Sequence, residues 1–372
     1  MKITRIETIP IQVPLKAQFA IRSGRGGAHL HSPFLLVKIH TDEGVVGIGE
    51  SSCTPRWSGE DQVTGAHLIH AYLEPLLAGE NPLEIEKLTQ KFRLAFAANN
   101  FTKAAVEMAL WDIAGKVAGK PIYQLLGGKV RDFVPTKWSV SGVEPDKAAE
   151  IARWAVAQGF RAMKVKVGLE PDDDVARVSA VRAAVGSEIK LGVDANGGWN
   201  GETALKTIER LYQEKIYFVE QPVAPEELAR MIELHHQLDV PLIADESVCT
   251  LQDATALAFV RAADVFSIYI GKAGGIGPAR KIAEFAMSAG LKCTLGSNLE
   301  LGVGSAAMTH LALAIGGIVA EEFPCDIIGP FFYEDDIVGQ PLPILPGRAN
   351  ANEKPGLGVE LDEEKVEKYR VK

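Results

Sequence analysis

Past residue 135 the chain repeats one pattern: a short apolar run, a polar or charged side chain at its end, then a stretch with helical spacing. The runs are TKWSVSG, AMKVKVG, IKLGVDAN, YFVEQPV, PLIADES, VFSIYIGKAGG, KCTLGSN and GIVAEEF. Stretches such as PDKAAEIARWAVAQG and GPARKIAEFAMSAG lie between them. The repeat is about 25 residues long, the length of one strand-plus-helix unit. Such units close most simply into a barrel of parallel strands wrapped by helices, with a doubly wound open sheet as the alternative.

The chain before that point is organised differently. ITRIETIPIQV, PFLLVKIHT and GVVGIGES are β-rich, and Asp42-Glu43-Gly44 is a turn signal between the last two. FTKAAVEMALWDIAGKVAGKPIYQLLGG has helical spacing and ends at Gly127-Gly128. Residues 1–130 therefore read as an α+β unit and 131–324 as the barrel. The Pro- and Gly-rich tail, 325–372, is expected to fold back onto the N-terminal unit.

Composition removes several function classes. Of 372 residues 47% are apolar, enough for a sizeable core. A net charge of −9 opposes binding to a phosphate backbone. No apolar run reaches the roughly 18 residues that a membrane span needs. MKITRIETIPIQVP alternates like a strand and has no signal-peptide core, so a cytoplasmic location is expected. Cys53, Cys249, Cys293 and Cys325 lie far apart with no CxxC pair, and read as buried free thiols. GKAGGIG lacks phosphate-loop spacing, and no GxGxxG follows a strand, which disfavours nucleotide and redox chemistry. His235-His236 falls in a helical stretch and reads as surface.

The polar residues at the run ends carry the chemistry. In order they are Lys164 and Lys166, Asp194 and Asn196, Glu220, Asp245 and Glu246, and Lys272. A closed barrel gathers them at its C-terminal mouth. Asp194, Glu220 and Asp245, on three adjacent strands, suit a hard divalent cation, Mg²⁺ first and Mn²⁺ as a substitute. The absence of His and Cys from this set argues against zinc. Asn196 and Glu246 are placed to orient those ligands. Lys164 and Lys166 alternate about Val165, so both face one side of their strand. Crowded cations lower a lysine's pKa, and a lysine moved toward neutrality can act as a general base. Lys272, about four strands further round, would approach from the opposite side. Mg²⁺ and ammonium groups on a carboxylate would stabilise the enediolate left when its α-proton is removed.

Together these pieces resemble the muconate lactonizing enzyme (muconate cycloisomerase) subgroup of the enolase superfamily. The matching motifs are KVK at 164–166, DAN at 194–196, EQP at 220–222, DES at 245–247 and KAGG at 272–275. AAVEMALWDIAGKVAGKPIYQLLGG, GSNLELGVGSAA, DIIGPFFYEDDIV and PGLGVELDEEKVEKY are also similar to that subgroup, so the resemblance spans nearly the whole chain. It implies an α/β fold, a modified TIM barrel of (β/α)7β form with an N-terminal α+β capping domain. It implies Lys166 and Lys272 as the acid/base pair, Lys164 assisting, and Asp194, Glu220 and Asp245 on Mg²⁺. The mandelate racemase subgroup uses a His at the end of strand seven, where this chain has Ser297-Asn298. A homo-oligomer joined through capping domains is a further implication.

Substrate contacts are expected from two capping-domain loops, Ala17–His31 and Cys53–Gly59, and from the last strand ends. Arg22, Arg25 and His29 are candidates for a second anionic group. Trp57, Ser139, Asn298 and Asp326 complete the set. Dipeptide epimerases of this subgroup carry a DxD pair after strand eight, whereas Asp326-Ile327-Ile328 lacks the second Asp. Asp326 followed by Ile327, Ile328, Gly329 and Pro330 fits the cycloisomerase form. The expected function is Mg²⁺-dependent abstraction of the proton α to a small-molecule carboxylate, foremost by a muconate-type cycloisomerase. A racemase or epimerase of an N-substituted amino acid or betaine is the alternative, and an acid-sugar or hydroxy-acid dehydratase a third. The rival from another class, a non-catalytic metal-binding barrel, predicts a missing lysine or carboxylate at the mouth, and none is missing.

Overall fold

The computed structural model describes residues 1–19, 21–23 and 27–371. The first layer is an antiparallel sheet of β1 (Ile3–Pro14), β2 (His31–Thr41) and β3 (Val46–Ser52), ordered β1-β2-β3. Asp42-Glu43-Gly44 makes the expected turn, with Gly44 at φ +78°. Helix α1 (Asn100–Ala118) packs on this sheet at very short range. A Cβ at Gly49 would stand 1.9 Å from the Ala105 carbonyl oxygen, and one at Gly47 2.1 Å from that of Ala109. The glycines of GVVGIGES are thus what lets the helix seat. The single helical region read from FTKAAVEMALWDIAGKVAGKPIYQLLGG is in fact two. Gly119 ends α1 in the left-handed region at φ +64°, and a separate turn, Ile122–Leu125, begins after Pro121.

Seven parallel strands follow: β4 (Trp138–Val140), β5 (Ala162–Lys166), β6 (Lys190–Asp194), β7 (Val219–Glu220), β8 (Leu242–Ala244), β9 (Val265–Ile268) and β10 (Lys292–Leu295). Each is hydrogen-bonded to the next in sequence. Helices α2 (Pro145–Gln158), α3 (Pro171–Val185), α4 (Gly201–Leu211), α5 (Leu228–Gln237), α6 (Leu251–Phe259), α7 (Ile276–Ser288) and α8 (Gly302–Ala314) alternate with them. The fold is the α/β modified TIM barrel with a separate N-terminal unit.

The eighth run departs from expectation. GIVAEEF is not a strand: Ile318 and Cys325 each make one parallel bridge, to Cys293 and Thr136, with a turn between them. Val319 N–H donates to Cys293 O, Cys325 N–H to Pro135 O and Lys137 N–H to Cys325 O. This irregular segment therefore bonds to both edge strands and closes the ring.

Parallel pairing fixes the height of the polar ends. Lys166 is level with Asp194 across β5/β6, and Asp194 with Glu220 across β6/β7. Asp245 directly follows the last residue of β8. Two glutamates tie the N-terminal unit to the barrel. Glu50 of β3 accepts from Leu301 N at 2.8 Å and Gly304 N at 3.0 Å, at the start of α8. Glu107 of α1 accepts from Ile276 N at 2.7 Å and Gly277 N at 2.9 Å, at the start of α7. Unpaired N–H groups at helix starts favour such acceptors. The end of the chain returns to β1, where Val371 N–H donates to Pro10 O. Among the described residues no helix is long and apolar enough to cross a membrane.

Candidate active site

Three lysines and four carboxylates interlock at the C-terminal mouth of the ring. Lys166 Nζ donates to Asp194 Oδ2 at 2.7 Å and Asn196 Oδ1 at 2.8 Å. Lys164 Nζ lies 2.9 Å from Asp194 Oδ2, 2.9 Å from Glu220 Oε1 and 3.0 Å from Asp326 Oδ2. Lys272 Nζ donates to Asp245 Oδ1 at 2.5 Å, to the Asp245 carbonyl at 2.6 Å and to the Ser267 carbonyl at 2.9 Å. Lys272 stands on a helical turn, Ile270–Ala273, after β9 rather than on the strand itself. The side chain of Lys166 is 18% exposed and that of Lys272 2%, so the two bases differ in access. Asn196 Nδ2 reaches Glu246 Oε1 at 2.9 Å, which links the two expected orienting residues.

The electrostatics follow from burial against a dense set of charges. Burial disfavours an ammonium at Lys164, but Asp194, Asp326, Glu220 and Asp245 outweigh it and hold its pKa well above the usual lysine range. This reverses the expectation of a depressed value there, because carboxylates rather than a second ammonium dominate its surroundings. Lys164 is therefore a fixed cation. Burial opposes the charge on Asp194, yet Lys164 and Lys166 hold its carboxyl below the usual range. Glu220 is pushed up to about 8 by burial, with Asp194 and Asp245 adding to it against Lys164. Burial, then Asp245 and Asp194, push Glu246 up to about 7.

The donor set suits a divalent cation in chemistry and in charge. Among the described residues no three acidic, imidazole or thiol groups converge to hold one as they stand, since the outer carboxylates turn onto lysines. Two features nevertheless fit. Glu220 Oε2 is buried without a hydrogen-bond partner. The connected network contains five carboxylates (Asp194, Glu220, Asp245, Glu246, Asp326) and four lysines (Lys137, Lys164, Lys166, Lys272). With every carboxylate ionised that leaves one excess negative charge, which a divalent cation together with one substrate carboxylate would bring to neutrality, and a bound cation would favour the ionised form of Glu220 and Glu246.

A cavity of about 270 Å³ opens beside this network. Lys164, Lys166 and Asn196 line one end, with Ser139, Asn298, Asp326, Trp57 and Arg22 among the other walls. Ser139 is level with Lys164 across β4/β5. Asn298 Nδ2 donates to Thr54 Oγ1 at 3.1 Å, and Trp57 Nε1 to Glu246 Oε1 at 3.0 Å, so both join the capping loop to the barrel. Arg22 is fixed through its backbone, its N–H donating to Ser141 Oγ at 2.7 Å and its carbonyl accepting from Gly142 N. Arg25 and the His29 side chain lie outside the described residues. Three of the cysteines are buried and free, as expected, while Cys249 is half-buried.

Several residues of the site were not foreseen. Tyr269 lines the cavity, donates to Asp245 Oδ2 at 2.8 Å and stacks on Trp57 with centroids 5.3 Å apart. Gln221 Oε1 accepts from Asp245 N and Ser247 N, which fixes the end of β8 against that of β7. Lys137 lies beneath Asp326, its Nζ 3.0 Å from Oδ1. Gln221 (φ +36°) and Asn196 (φ +46°) sit in the left-handed region one and two residues after candidate ligands, where strain at a functional mouth is common.

Sequence comparison agrees with this geometry. A family profile described as "Mandelate racemase / muconate lactonizing enzyme, N-terminal domain" matches residues 5–127, and "Enolase C-terminal domain-like" matches 146–365. The chain belongs to the muconate lactonizing enzyme subgroup of the enolase superfamily. N-succinyl-L-Arg/Lys racemase of Bacillus cereus is 34% identical over 374 residues, covering 100% of this chain and 98% of that protein. Its crystal structure superposes with a TM-score of 0.94, covering 100% of this chain and 99% of that one. Chloromuconate cycloisomerase of Cupriavidus pinatubonensis is 34% identical over 365 residues, 96% of each chain. L-Ala-D/L-Glu epimerase of Bacillus subtilis is 35% identical over 366 residues, 96% of this chain and 97% of that protein. All three are isomerases, and the chain is an enzyme of that kind.

Proposed function

We propose that the enzyme interconverts the two configurations of a carbon α to a carboxylate, in an N-substituted amino acid or a betaine. The observation that carries this reading is the bracketing of the carboxylate triad. Lys166 grips its outer member Asp194, and Lys272 grips the other outer member, Asp245. The two lysines stand four strands apart around the ring; Lys166 lines the cavity, and Lys272 lies buried behind Tyr269 and Trp57 of the cavity wall. Two opposed bases serve both faces of a trigonal carbon, whereas ring closure on a diene acid needs one.

A Mg²⁺ ion, or Mn²⁺ in its place, held by Asp194, Glu220 and Asp245 would polarise the substrate carboxylate and lower the acidity barrier at the α-carbon. Lys164, a permanent cation, offsets the charge that develops on the carboxylate oxygens. Lys166 removes the α-proton from one face, and Lys272 delivers one to the other. Asn196 holds Lys166 in line, and Tyr269 and Trp57 cover Lys272. An uncharged N-acyl nitrogen fits better than a free ammonium. Asp326 is the one carboxylate on the described cavity wall, and Lys164 and Lys137 already occupy it.

A muconate-type cycloisomerase, ranked first from sequence, is the second reading. It is favoured by Arg22 on the cavity wall, a partner for a second substrate carboxylate, and by the cycloisomerase relatives. Proton NMR in D₂O with Mg²⁺ separates the two. Loss of the α-proton signal from both hands of an N-acyl amino acid or of proline betaine supports the racemase. Exchange confined to muconolactone replaces it with the cycloisomerase, and Lys166→Ala serves as the control for both.

A further inference from the structure

We propose that Lys137 is a specificity-determining positioning residue that keeps the site closed to substrates carrying a free ammonium. The proposal rests on the reading of the cavity as a carboxylate-substrate site and adds a rule for the charge at the substrate's other end.

Lys137 is 2% exposed and does not line the cavity. It precedes β4, at the opposite end of the strand from the catalytic rim, and its side chain runs inside the ring. Its Nζ donates to the Pro324 carbonyl at 2.7 Å and lies 3.0 Å from Asp326 Oδ1. The second oxygen of Asp326 is 3.0 Å from Lys164 Nζ. One carboxylate thus sits between two buried ammoniums, and its own N–H is fixed to the Leu295 carbonyl. Asp326 is also the one carboxylate among the described residues on the cavity wall. It would be the natural partner for a substrate ammonium there, were its charge not already matched twice. Its contact with Lys137 is electrostatic rather than an aligned hydrogen bond, since Oδ1 accepts none. Removing Lys137 would leave the delocalised charge of Asp326 matched by Lys164 alone, which Asp194 and Glu220 also share, and so raise the negative potential at the cavity wall, the condition under which a substrate ammonium is drawn in.

The experiment is calorimetric binding, with Mg²⁺ present, of a matched pair: the dipeptide L-alanyl-L-glutamate and its N-acetyl derivative, which differ only in the terminal charge. Wild type is expected to favour the acetylated form. In Lys137→Met that preference is expected to fall by about tenfold or more, through tighter binding of the free-amine form. Lys137→Arg should keep the wild-type preference. The double variant Lys137→Met/Asp326→Asn should regain it, because the freed carboxylate is gone, and a purely structural role for Lys137 gives no such return. If Lys137→Met does not fold, Lys137→Gln carries the same expectation. An unchanged preference in a folded Lys137 variant overturns the proposal, as does failure of the double variant to restore it. Binding needs no turnover, so absence of α-proton exchange by wild type would count against the proposed reaction and leave this test intact.

Discussion

Lys272 Nζ lies 2.5 Å from Asp245 Oδ1 and 2.6 Å from the backbone oxygen of the same residue. On the other side of the triad, Lys166 Nζ lies 2.7 Å from Asp194 Oδ2. The middle acid, Glu220, contacts Lys164 and has one buried oxygen with no partner. In the proposed two-base reaction, this near-symmetry about Glu220 would let Lys166 and Lys272 serve opposite faces of one carbon.

The symmetry makes a stereochemical prediction. Lys166→Ala and Lys272→Ala should each lower racemisation by about 10²–10⁴-fold, the usual weight of a positioned acid or base. Each variant should still exchange the α-proton of one enantiomer with solvent deuterium, and the two variants should retain opposite hands. Exchange of both hands by the Lys272→Ala enzyme would show that Lys166 alone serves both faces.

The carboxylates should be separable from the lysines by metal binding. EDTA is expected to abolish activity and Mg²⁺ to restore it. Direct titration with Mn²⁺, followed by its paramagnetic resonance signal, should show binding to wild type and to Lys166→Ala alike. Asp245→Asn should weaken that binding by about tenfold or more, in line with the effect of losing a ligating or orienting group. Equal Mn²⁺ affinity in Asp245→Asn would remove Asp245 from the ligand set.

The mouth of the barrel was legible because a parallel strand buried on both faces admits few charged residues except toward its end. Lys166, Asp194 and Glu220 therefore stood out, and strand register then brought them level. The eighth run was not legible. GIVAEEF has the composition of a strand, but closure there depends on hydrogen bonds offered by both edges, which no local pattern encodes. Lys137 escaped because a lysine before a strand resembles a solvated start, and only the ring's closure buries it. Tyr269 escaped because it sits in an apolar run and reads as core. The lowered pKa expected for Lys164 failed for a related reason: sequence showed the neighbouring lysine, while the four carboxylates that set its charge come from distant parts of the chain.

Trp57 should control how tightly the cap closes over the site. Its Nε1 donates to Glu246 Oε1, and its ring stacks on Tyr269 at an interplanar angle of 13°. Trp57→Phe keeps an aromatic ring and removes the bond. KM is expected to rise roughly five- to tenfold, the weight of one hydrogen bond to an acidic group, with kcat changed less. A fall in kcat at constant KM would instead assign the tryptophan to the chemical step.

The seam between cap and barrel should make stability depend on pH in a defined direction. Glu50 is buried where β3 meets the start of α8, with Glu300 and Asp336 as acidic neighbours. Burial lifts its pKa from an ordinary 4.5 to about 8, against the pull of the Gly304 and Leu301 amides. Between those two values the folded chain holds a proton that the unfolded chain has released, so unfolding loses a proton and stability falls as pH rises. The contribution is fully present below the unfolded value and is gone above about 8. The melting temperature should therefore decline from pH 5 to pH 9, and Glu50→Gln, which cannot ionise, should flatten that decline by about 2 °C or more. An identical slope in the variant would mean that Glu50 stays ionised in the fold and that the two helix-terminal amides, rather than burial, set its charge.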